Sequence, residues 1–430
     1  MNYTEAIEWI ENRRLSLGSV PGLSCVKDLL RVFDNPQDKL KVIHITGTNG
    51  KGSTGTYIKK LFESSGLTVG HFSSPAVIEY REQIKVKNTN IVKNDYAEIL
   101  SDIVSKMEDD SLSGDFKKAT AFEIETVIAY LYFIRKACDI CIIEVGMGGE
   151  LDATNVFTNP YACVFTSISE DHVGFLGEQI EKIATIKSGI IKEGAIVVSA
   201  PQEISVAQII EKKARTNNCD YNYVNQNNVK ITSQTLNGLT FSYDKYKMYK
   251  LSMLGEYQSI NASVALKTYE LVAAKLGINI SKEEKLKKVM YETTWPCRFE
   301  IINKKPYIIL DGAHNEGAVD TLMSTFDKYF TKRPIIFIMG VYKDKDYIEI
   351  IRKSVTRADH IICVPLPNKA RTLSSFELAS KVREVNESVT AADSVHEGYE
   401  LARLLAGDAG VILCFGSLSY LGEIRSKVVK

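Results

Sequence analysis

Residues 43–53, Ile-His-Ile-Thr-Gly-Thr-Asn-Gly-Lys-Gly-Ser, constrain the fold of this chain more than any other segment. A short β-branched run passes into closely spaced glycines, whose conformational freedom lets successive backbone N–H groups turn toward one anion. Lys51 adds a positive charge, and Ser53 adds a hydroxyl oxygen for a magnesium ion. A helical pattern over residues 54–64 places the positive end of a helix at that anion. The segment therefore predicts a strand, a phosphate-binding loop and a helix, in that order.

The loop departs from the usual spacing G-x-x-x-x-G-K-[ST] at two positions. Ile45 stands where the first glycine is expected, and Gly52 separates Lys51 from Ser53. The alternative interpretation is an ordinary glycine-rich turn between a strand and a helix. We favour the phosphate loop because the strand, the lysine, the hydroxyl and the helix occur in the required order.

Composition narrows the class of protein. The chain has 430 residues, of which 45% are hydrophobic, enough for the cores of two or three domains. Its 53 basic residues balance 53 acidic ones, so bulk charge gives no support for a nucleic-acid or membrane partner. The first residues lack the regions of a signal peptide, and no run reaches the ~20 apolar residues of a membrane span. We expect a cytoplasmic protein, and a monomer.

Eight cysteines are scattered along the chain, and two of them, Cys138 and Cys141, form a C-x-x-C motif. The motif falls in a predicted strand over residues 137–145, where positions three apart face opposite sides. No second pair is present to complete a zinc site. We therefore interpret these cysteines as small buried apolar residues.

Short apolar runs alternate with amphipathic stretches, which is typical of α/β layers. The strands are predicted at residues 41–46, 138–145, 162–167, 195–199, 307–310, 335–339, 360–364 and 410–415. The helices are predicted at residues 3–13, 52–64, 122–135, 180–188, 204–216 and 257–275. A polar stretch over 221–250 alternates with period two and predicts small antiparallel strands. The segment Trp295-Pro296-Cys297-Arg298 interrupts the pattern and places a domain boundary near residue 296.

Three further elements carry candidate chemistry after predicted strands. Glu144 ends an apolar run, where a carboxylate needs either a metal or a salt-bridge partner. His172 follows the strand at 162–167, as a metal ligand or as a structural histidine. Asp311 follows the strand at 307–310, where ligands bind in doubly wound sheets, although a turn or helix-capping role is equally open.

Together these elements resemble the folylpolyglutamate synthases and dihydrofolate synthases, which belong with the ATP-dependent, amide-forming Mur ligases. The loop G-T-N-G-K-G-S is the family's own form, so both spacing departures are family features. The resemblance extends through nearly the whole chain, at residues 21–23, 35–37, 47–53, 74–75, 120–126, 144–155, 171–172, 176–177, 187–190, 258, 261–262, 295–298, 311–315, 344–346 and 416–418.

The resemblance implies a fold and a set of roles. It implies a central P-loop ATPase domain over residues 1–296, with a largely parallel sheet and a small antiparallel sheet, followed by a smaller Rossmann-like glutamate-ligase domain over 297–430. The implied ATP contacts are Gly47, Thr48, Asn49, Gly50, Lys51, Gly52, Ser53, Asn261, Arg298, Asp311 and His314. The implied metal ligands are Ser53, Ser74, Glu144, His172 and a carbamylated Lys187. The implied folate contacts are Thr120, Phe122, Glu123, Leu151, Asp152 and Ala153.

By the same resemblance, Lys51, Glu144, His172 and Lys187 are the catalytic residues, with ATP, two Mg²⁺ ions and room for a K⁺ ion. The implied reaction adds L-glutamate to the γ-carboxyl group of a folate through an acyl phosphate. Dihydrofolate synthesis, another Mur-type ligation and a non-catalytic ATP-binding role are the alternatives. The chain departs from the family pattern at several positions, namely Ala76, Gln83, Glu150, Ile186 and Tyr257. These departures lie at the metal and folate loops and leave the preference for a pteroate open. Residues 17–23 do not match the family's dihydropteroate-binding segment, so we favour polyglutamylation over dihydrofolate synthesis.

Overall fold

The structure is a computed structural model that describes residues 1–18, 20–170, 179–331, 334–368 and 370–429. Within these residues the α-helices are α1 (Tyr3–Leu17), α2 (Ser24–Val32), α3 (Lys51–Ser64), α4 (Lys93–Glu108), α5 (Ala121–Arg135), α6 (Ile180–Ser188), α7 (Ile204–Thr216), α8 (Tyr257–Leu276), α9 (Glu283–Glu292), α10 (Glu316–Tyr329), α11 (Tyr347–Ser354), α12 (Ser375–Arg383), α13 (Val395–Ala406) and α14 (Leu421–Val428). The strands are β1 (Val42–Thr46), β2 (Val69–Phe72), β3 (Ile84–Val86), β4 (Thr89–Asn90), β5 (Ile140–Glu144), β6 (Ala162–Phe165), β7 (Ile196–Ser199), β8 (Asp220–Tyr223), β9 (Val229–Thr235), β10 (Gly238–Tyr243), β11 (Tyr246–Leu251), β12 (Glu300–Lys304), β13 (Tyr307–Leu310), β14 (Ile335–Met339), β15 (His360–Cys363), β16 (Val389–Ala391) and β17 (Val411–Phe415).

The first sheet has eight strands in the order β4-β3-β2-β5-β1-β6-β7-β8. The strands from β2 to β8 in that order pair in parallel, whereas β3 and β4 are antiparallel additions at one edge. Because parallel strands point the same way, the segments that follow β1, β2, β5 and β6 emerge at one edge. This sheet confirms the predicted α/β class.

Helices cover both faces of this sheet, which explains why its central strands are buried on both sides. On one face, α1, α2, α4 and α5 pack against side chains such as Phe72 and Ile143. On the other face, α3 and α8 pack against Ile43 and Ile142 together with the small antiparallel sheet. Alternate side chains of one strand therefore serve two separate cores.

A three-stranded antiparallel sheet, in the order β11-β10-β9, forms from the polar stretch predicted for such strands. The first residues of that stretch do not join the small sheet. They form β8, which pairs in parallel with β7 and extends the large sheet. The reason for this error is that β8 is an edge strand in which no residue is buried. Its polar composition therefore does not distinguish it from the antiparallel strands that follow.

The C-terminal sheet has six strands in the order β12-β13-β17-β14-β15-β16. All neighbours pair in parallel except β12, which is antiparallel to β13. Helices pack on both faces of this sheet, and each face has its own hydrophobic core. Helices α10–α12 cover one face, and α13 and α14 cover the other. The predicted Rossmann-like layering is therefore present, and its strands β13 and β17 end beside the first sheet's loops.

The C-x-x-C motif corrects one sequence argument. Helix α5 ends through Ala137, which has a φ of 48°, so Cys138 precedes β5 instead of lying within it. Burial raises the pKa of the Cys141 thiol, and the neighbouring Cys138 acts in the same direction. All eight cysteines are free thiols. Among the described helices, none combines the length and the apolar character that crossing a bilayer requires.

Candidate active site

The loop between β1 and α3 folds back over its own backbone. Gly47 (φ 145°) and Gly50 (φ 91°) adopt conformations that residues with a Cβ rarely adopt. Packing also excludes a side chain at Gly47, where a Cβ atom would lie 2.0 Å from Thr166 Oγ1. Lys51 Nζ donates to the carbonyl oxygens of Gly47 (3.0 Å) and Thr48 (3.2 Å). The ammonium group therefore lies over the loop, at the positive end of α3.

This loop borders a cavity of about 410 Å³ between the first sheet, α8 and the C-terminal sheet. The cavity collects most of the residues predicted to bind ATP or metal, which are 47–53, Ser74, Glu144, Lys187, Asn261, Arg298, Asp311 and His314. The remaining predicted ligand, His172, lies outside the described residues. Parallel strand ends supply most of this set, because β1, β2, β5 and β13 all end at the cavity.

Glu144, the last residue of β5, is buried and contacts a histidine. His71 Nε2 lies 2.9 Å from Glu144 Oε1, and both side chains are less than 5% exposed. Burial lowers the pKa of His71, while its bond to Glu144 opposes that shift. A neutral imidazole that donates from Nε2 orients the carboxylate without neutralising it. The salt-bridge alternative for Glu144 thus has a partner, and the same carboxylate also borders the cavity.

The donor set at Glu144 fits a magnesium ion. Ser53, Ser74 and Glu144 supply hydroxyl and carboxylate oxygens at one cavity, which are the ligand atoms that Mg²⁺ prefers. In the described part of the chain, no three His, Cys, Asp or Glu side chains group into a metal site. Magnesium commonly takes one or two carboxylates and completes its shell with phosphate and water.

Lys187 lies in the last turn of α6 and points at the same loop. Its side chain is 5% exposed, and Nζ donates to the Gly47 carbonyl oxygen at 3.0 Å. The glycine-rich segment after β5 packs closely on this turn, since a Cβ atom on Gly149 would lie 2.8 Å from the Lys187 carbonyl oxygen. Two lysines, Lys51 and Lys187, therefore donate to one carbonyl of the loop.

Helix α8 presents a short polar chain to the phosphate loop. Asn261 Nδ2 donates to Gln258 Oε1 (3.2 Å), and Gln258 Nε2 donates to Ser53 Oγ (3.3 Å). Asn261 also packs on Gly50, where a Cβ atom would lie 2.6 Å from Asn261 Oδ1. Trp295 packs on the next turn, 2.8 Å from the Cβ position of Gly52. The glycines of the loop therefore accommodate α8 and the indole ring.

The C-terminal sheet contributes a carboxylate and a guanidinium group. Asp311 follows β13 and accepts hydrogen bonds from the backbone N–H groups of Phe299 and Ala313, both at 2.8 Å. Burial raises the pKa of Asp311, and the positive charge of Arg298 acts against this shift. His314 Nδ1 lies 2.7 Å from the Gly312 carbonyl oxygen. Asp311 is thus held by its turn and is also part of the cavity lining.

Two of the predicted folate residues form a buried helix cap. Thr120 and Glu123 make a capping box at the start of α5, and Glu123 also accepts a hydrogen bond from Val26 N–H (3.1 Å). Both side chains are buried. These contacts tie α5 to the start of α2, so protein donors already bond both carboxylate oxygens of Glu123.

The other predicted folate residues lie behind the glycine-rich loop that follows β5. Phe122 packs against Gly146, whose Cβ atom would lie 2.5 Å from its ring, and Gly146 borders the cavity. Asp152 is buried and accepts hydrogen bonds from Met147 N–H (2.8 Å) and Thr154 Oγ1 (2.6 Å). Ala153 is buried, whereas the Leu151 side chain is 53% exposed. None of the six predicted folate residues, all within the described ranges, lines the cavity itself.

Comparison with known proteins identifies the family. The Mur ligase middle domain matches residues 45–269, and the glutamate ligase domain of Mur ligases matches residues 297–418. The chain is 31% identical over 434 residues to the dihydrofolate synthase/folylpolyglutamate synthase of Bacillus subtilis, and the match covers 99% of each chain. This chain belongs to the folylpolyglutamate and dihydrofolate synthase family of Mur ligases.

Solved structures of Mur ligases share the fold over the whole chain. The folylpolyglutamate synthase of Mycobacterium tuberculosis, complexed with ADP and AMPPCP, is 25% identical with a TM-score of 0.87 and 99% coverage of both chains. An FPGS–AMPPCP–folate complex is 26% identical with a TM-score of 0.85 and full coverage of both chains. The family and the fold inferred from the sequence motifs are therefore confirmed.

Sequence reasoning missed four polar or aromatic groups at the site of this Mur ligase. Gln258, Trp295 and Asn315 were part of the family motifs but received no role, and His71 received no attention. The motif positions were the signal for the first three residues, and for His71 the signal was a polar residue in an otherwise apolar strand. Of the departures from the family pattern, Tyr257 lines the cavity, whereas Ala76, Gln83, Glu150 and Ile186 do not.

Proposed function

We propose that this chain is an ATP-dependent ligase that joins L-glutamate to the γ-carboxyl group of a folate. The observation that carries the proposal is the single cavity at which the loop 47–53, Glu144 and the Arg298–Asp311 pair meet. A positively charged loop at a helix N-terminus is suited to bind the phosphates of a nucleotide. Structures of related synthases have been solved with ADP and AMPPCP and with AMPPCP and folate.

In the proposed reaction, a carboxylate oxygen of the folate attacks the γ-phosphorus of ATP, and the bond from that phosphorus to the ADP oxygen breaks. The amine of L-glutamate then attacks the resulting acyl phosphate, the amide bond forms, and phosphate leaves as the amine loses a proton. Phosphoryl transfer depends mainly on positioning and on electrostatic stabilisation of charged oxygens. Lys51 supplies that charge directly over the loop.

Magnesium would be held by Ser53, Ser74 and Glu144, with His71 orienting the carboxylate. When bound, the ion supplies positive charge to the phosphate oxygens. The proposal also includes a second Mg²⁺ at Glu144 and His172, with a carbamylated Lys187 beside it, and allows a K⁺ ion. The position of Lys187 Nζ, 3.0 Å from the Gly47 carbonyl oxygen, supports a group directed at the phosphate side of the cavity.

The rest of the proposal concerns organisation and substrate binding. We assign residues 1–296 to the ATP-binding domain and 297–430 to the glutamate-ligase domain, with Asn261 and His314 as further ATP contacts. The folate would bind near Phe122, because this ring packs behind the loop that borders the cavity. We also propose a cytoplasmic monomer, for which eight free thiols are the expected state in a reducing compartment.

A single assay tests this function. ADP release is measured with ATP, Mg²⁺ and L-glutamate, in parallel with tetrahydrofolate and with dihydropteroate as acceptors. Glutamate-dependent release with tetrahydrofolate is the expected result, and release with dihydropteroate would add the dihydrofolate synthase activity named for the relative from Bacillus subtilis. Release with neither acceptor, although ATP binds, would favour another Mur-type ligase or a non-catalytic protein.

A further inference from the structure

The tip of the phosphate loop is joined to the C-terminal sheet by a reciprocal pair of amides. Asn49 Nδ2 donates to Asn315 Oδ1 (3.2 Å), and Asn315 Nδ2 donates back to Asn49 Oδ1 (3.3 Å). Asn315 is 5% exposed and comes immediately before α10. Each amide therefore donates one hydrogen bond to the other and accepts one from it, across 266 residues of sequence.

The same side-chain oxygen of Asn315 also caps a helix. Asn315 Oδ1 accepts the backbone N–H of Ala318 at 2.9 Å and so caps the N-terminus of α10. The cap restrains the side-chain rotamer, because rotation would remove the acceptor from two part-buried N–H groups, those of Ala318 and the Asn49 amide. Asn49 therefore meets an amide that is also held by the first turn of α10.

The neighbouring contacts restrict the loop on its other side. The backbone N–H of Thr48 donates to the Ser167 carbonyl oxygen (2.8 Å), and Thr48 Oγ1 donates to the Ser169 carbonyl oxygen (2.9 Å). Gly317, in the first turn of α10, approaches the same segment, with its Cβ position 3.3 Å from Ser169 Oγ. The loop tip is consequently enclosed between the segment after β6 and the start of α10.

We propose that Asn315 is a positioning residue for nucleotide binding, which acts through Asn49 to hold the phosphate loop in its anion-binding shape. This inference rests on the proposed function, since it concerns the same nucleotide site. A neutral amide pair suits this place because it adds no negative charge beside the phosphates. The Asn49–Asn315 pair thereby couples nucleotide affinity to the contact between the phosphate loop and the C-terminal sheet.

A double-mutant cycle tests the coupling, with Asn49→Ser, Asn315→Ser and the double variant. Serine at position 315 retains an oxygen that can cap α10 but is too short to bond Asn49. The dissociation constant of a non-hydrolysable ATP analogue is measured by calorimetry. We expect each single variant to bind about tenfold more weakly, and the double variant to bind no more weakly than the worse single one. An additive loss, or wild-type affinity in Asn315→Ser, would overturn the proposal.

A matched control separates positioning from helix capping. Ser394 caps α13, which packs on the C-terminal sheet, by accepting the Glu397 N–H at 3.1 Å. The variant Ser394→Ala removes that cap far from the phosphate loop. This variant should unfold at a lower temperature and bind the nucleotide analogue normally. If it weakened binding as much as Asn315→Ser does, general destabilisation would explain the effect and the proposal would be wrong. Absence of nucleotide binding in the wild-type chain would instead contradict the proposed function.

Discussion

Replacement of His44 should change how the stability of this ligase depends on pH. His44 lies in β1, directly before the phosphate loop, and its side chain is 1% exposed. Its Nε2 lies 2.8 Å from Thr154 Oγ1, and its buried Nδ1 has no partner among the described residues. Burial lowers the pKa of His44 from 6.5 to about 3, and the charge of Lys192 acts in the same direction.

The sign of the effect follows from proton linkage. The unfolded chain binds a proton at His44 once the pH falls below 6.5, whereas the folded chain remains neutral there down to about 3. The stabilising contribution is therefore complete above pH 6.5 and is lost progressively as the pH falls toward 3. Between pH 7.5 and pH 4.5 the free energy of unfolding should fall by ~2.7 kcal/mol through this one group, at 1.36 kcal/mol per pKa unit.

Chemical denaturation at pH 7.5 and pH 4.5 measures this contribution. His44→Gln removes the titrating group, so its free energy of unfolding should fall over this interval by ~2.7 kcal/mol less than that of the wild type. Other titrating groups are common to both proteins and cancel in the comparison. Equal losses in the wild type and His44→Gln, within ~0.5 kcal/mol, would refute the argument.

Three further predictions concern the active site. Lys51→Ala should lower glutamate-dependent ADP release by ~100-fold or more with an unchanged circular dichroism spectrum, and a loss below tenfold, about 1.4 kcal/mol of barrier, would contradict its phosphate role. Glu144→Gln should retain the contact with His71 but raise the magnesium concentration needed for half-maximal activity, with only partial recovery at high magnesium; an unchanged magnesium dependence would favour a purely structural pair. Lys187→Ala should be nearly inactive and partly rescued by small carboxylates, and full wild-type activity in carbonate-depleted buffer would argue against carbamylation.

Much of the fold could be predicted because its signals are local. The loop glycines, Lys51 and the helix that follows occupy one short segment, and α3 indeed begins at Lys51. The central strands are continuous apolar runs, because a parallel sheet covered on both faces buries every side chain. Strands β1, β5 and β14 accordingly match their predicted positions to within two residues at every end. The motif order then identified the family.

Several elements were missed. No element is predicted from the sequence at helices α2, α4, α9 and α10–α14 or at strands β2–β4, β12 and β16. The edge strand β8 was assigned to the wrong sheet, because an exposed parallel strand and an exposed antiparallel strand have similar compositions. Edge positions are decided by which neighbour a strand pairs with, and that information is not local.

The sequence by itself determined the class of chemistry, because a phosphate loop, a strand-end carboxylate and a helix are each encoded by adjacent residues. Only the tertiary structure decided which distant side chains share those groups. It placed His71 on Glu144 across 73 residues and paired Asn49 with Asn315 across 266 residues. The first contact joins neighbouring strands of one sheet, and the second joins the loops of two sheets. Hydrogen-bond partners there are selected by burial and distance, which no spacing along the chain reports.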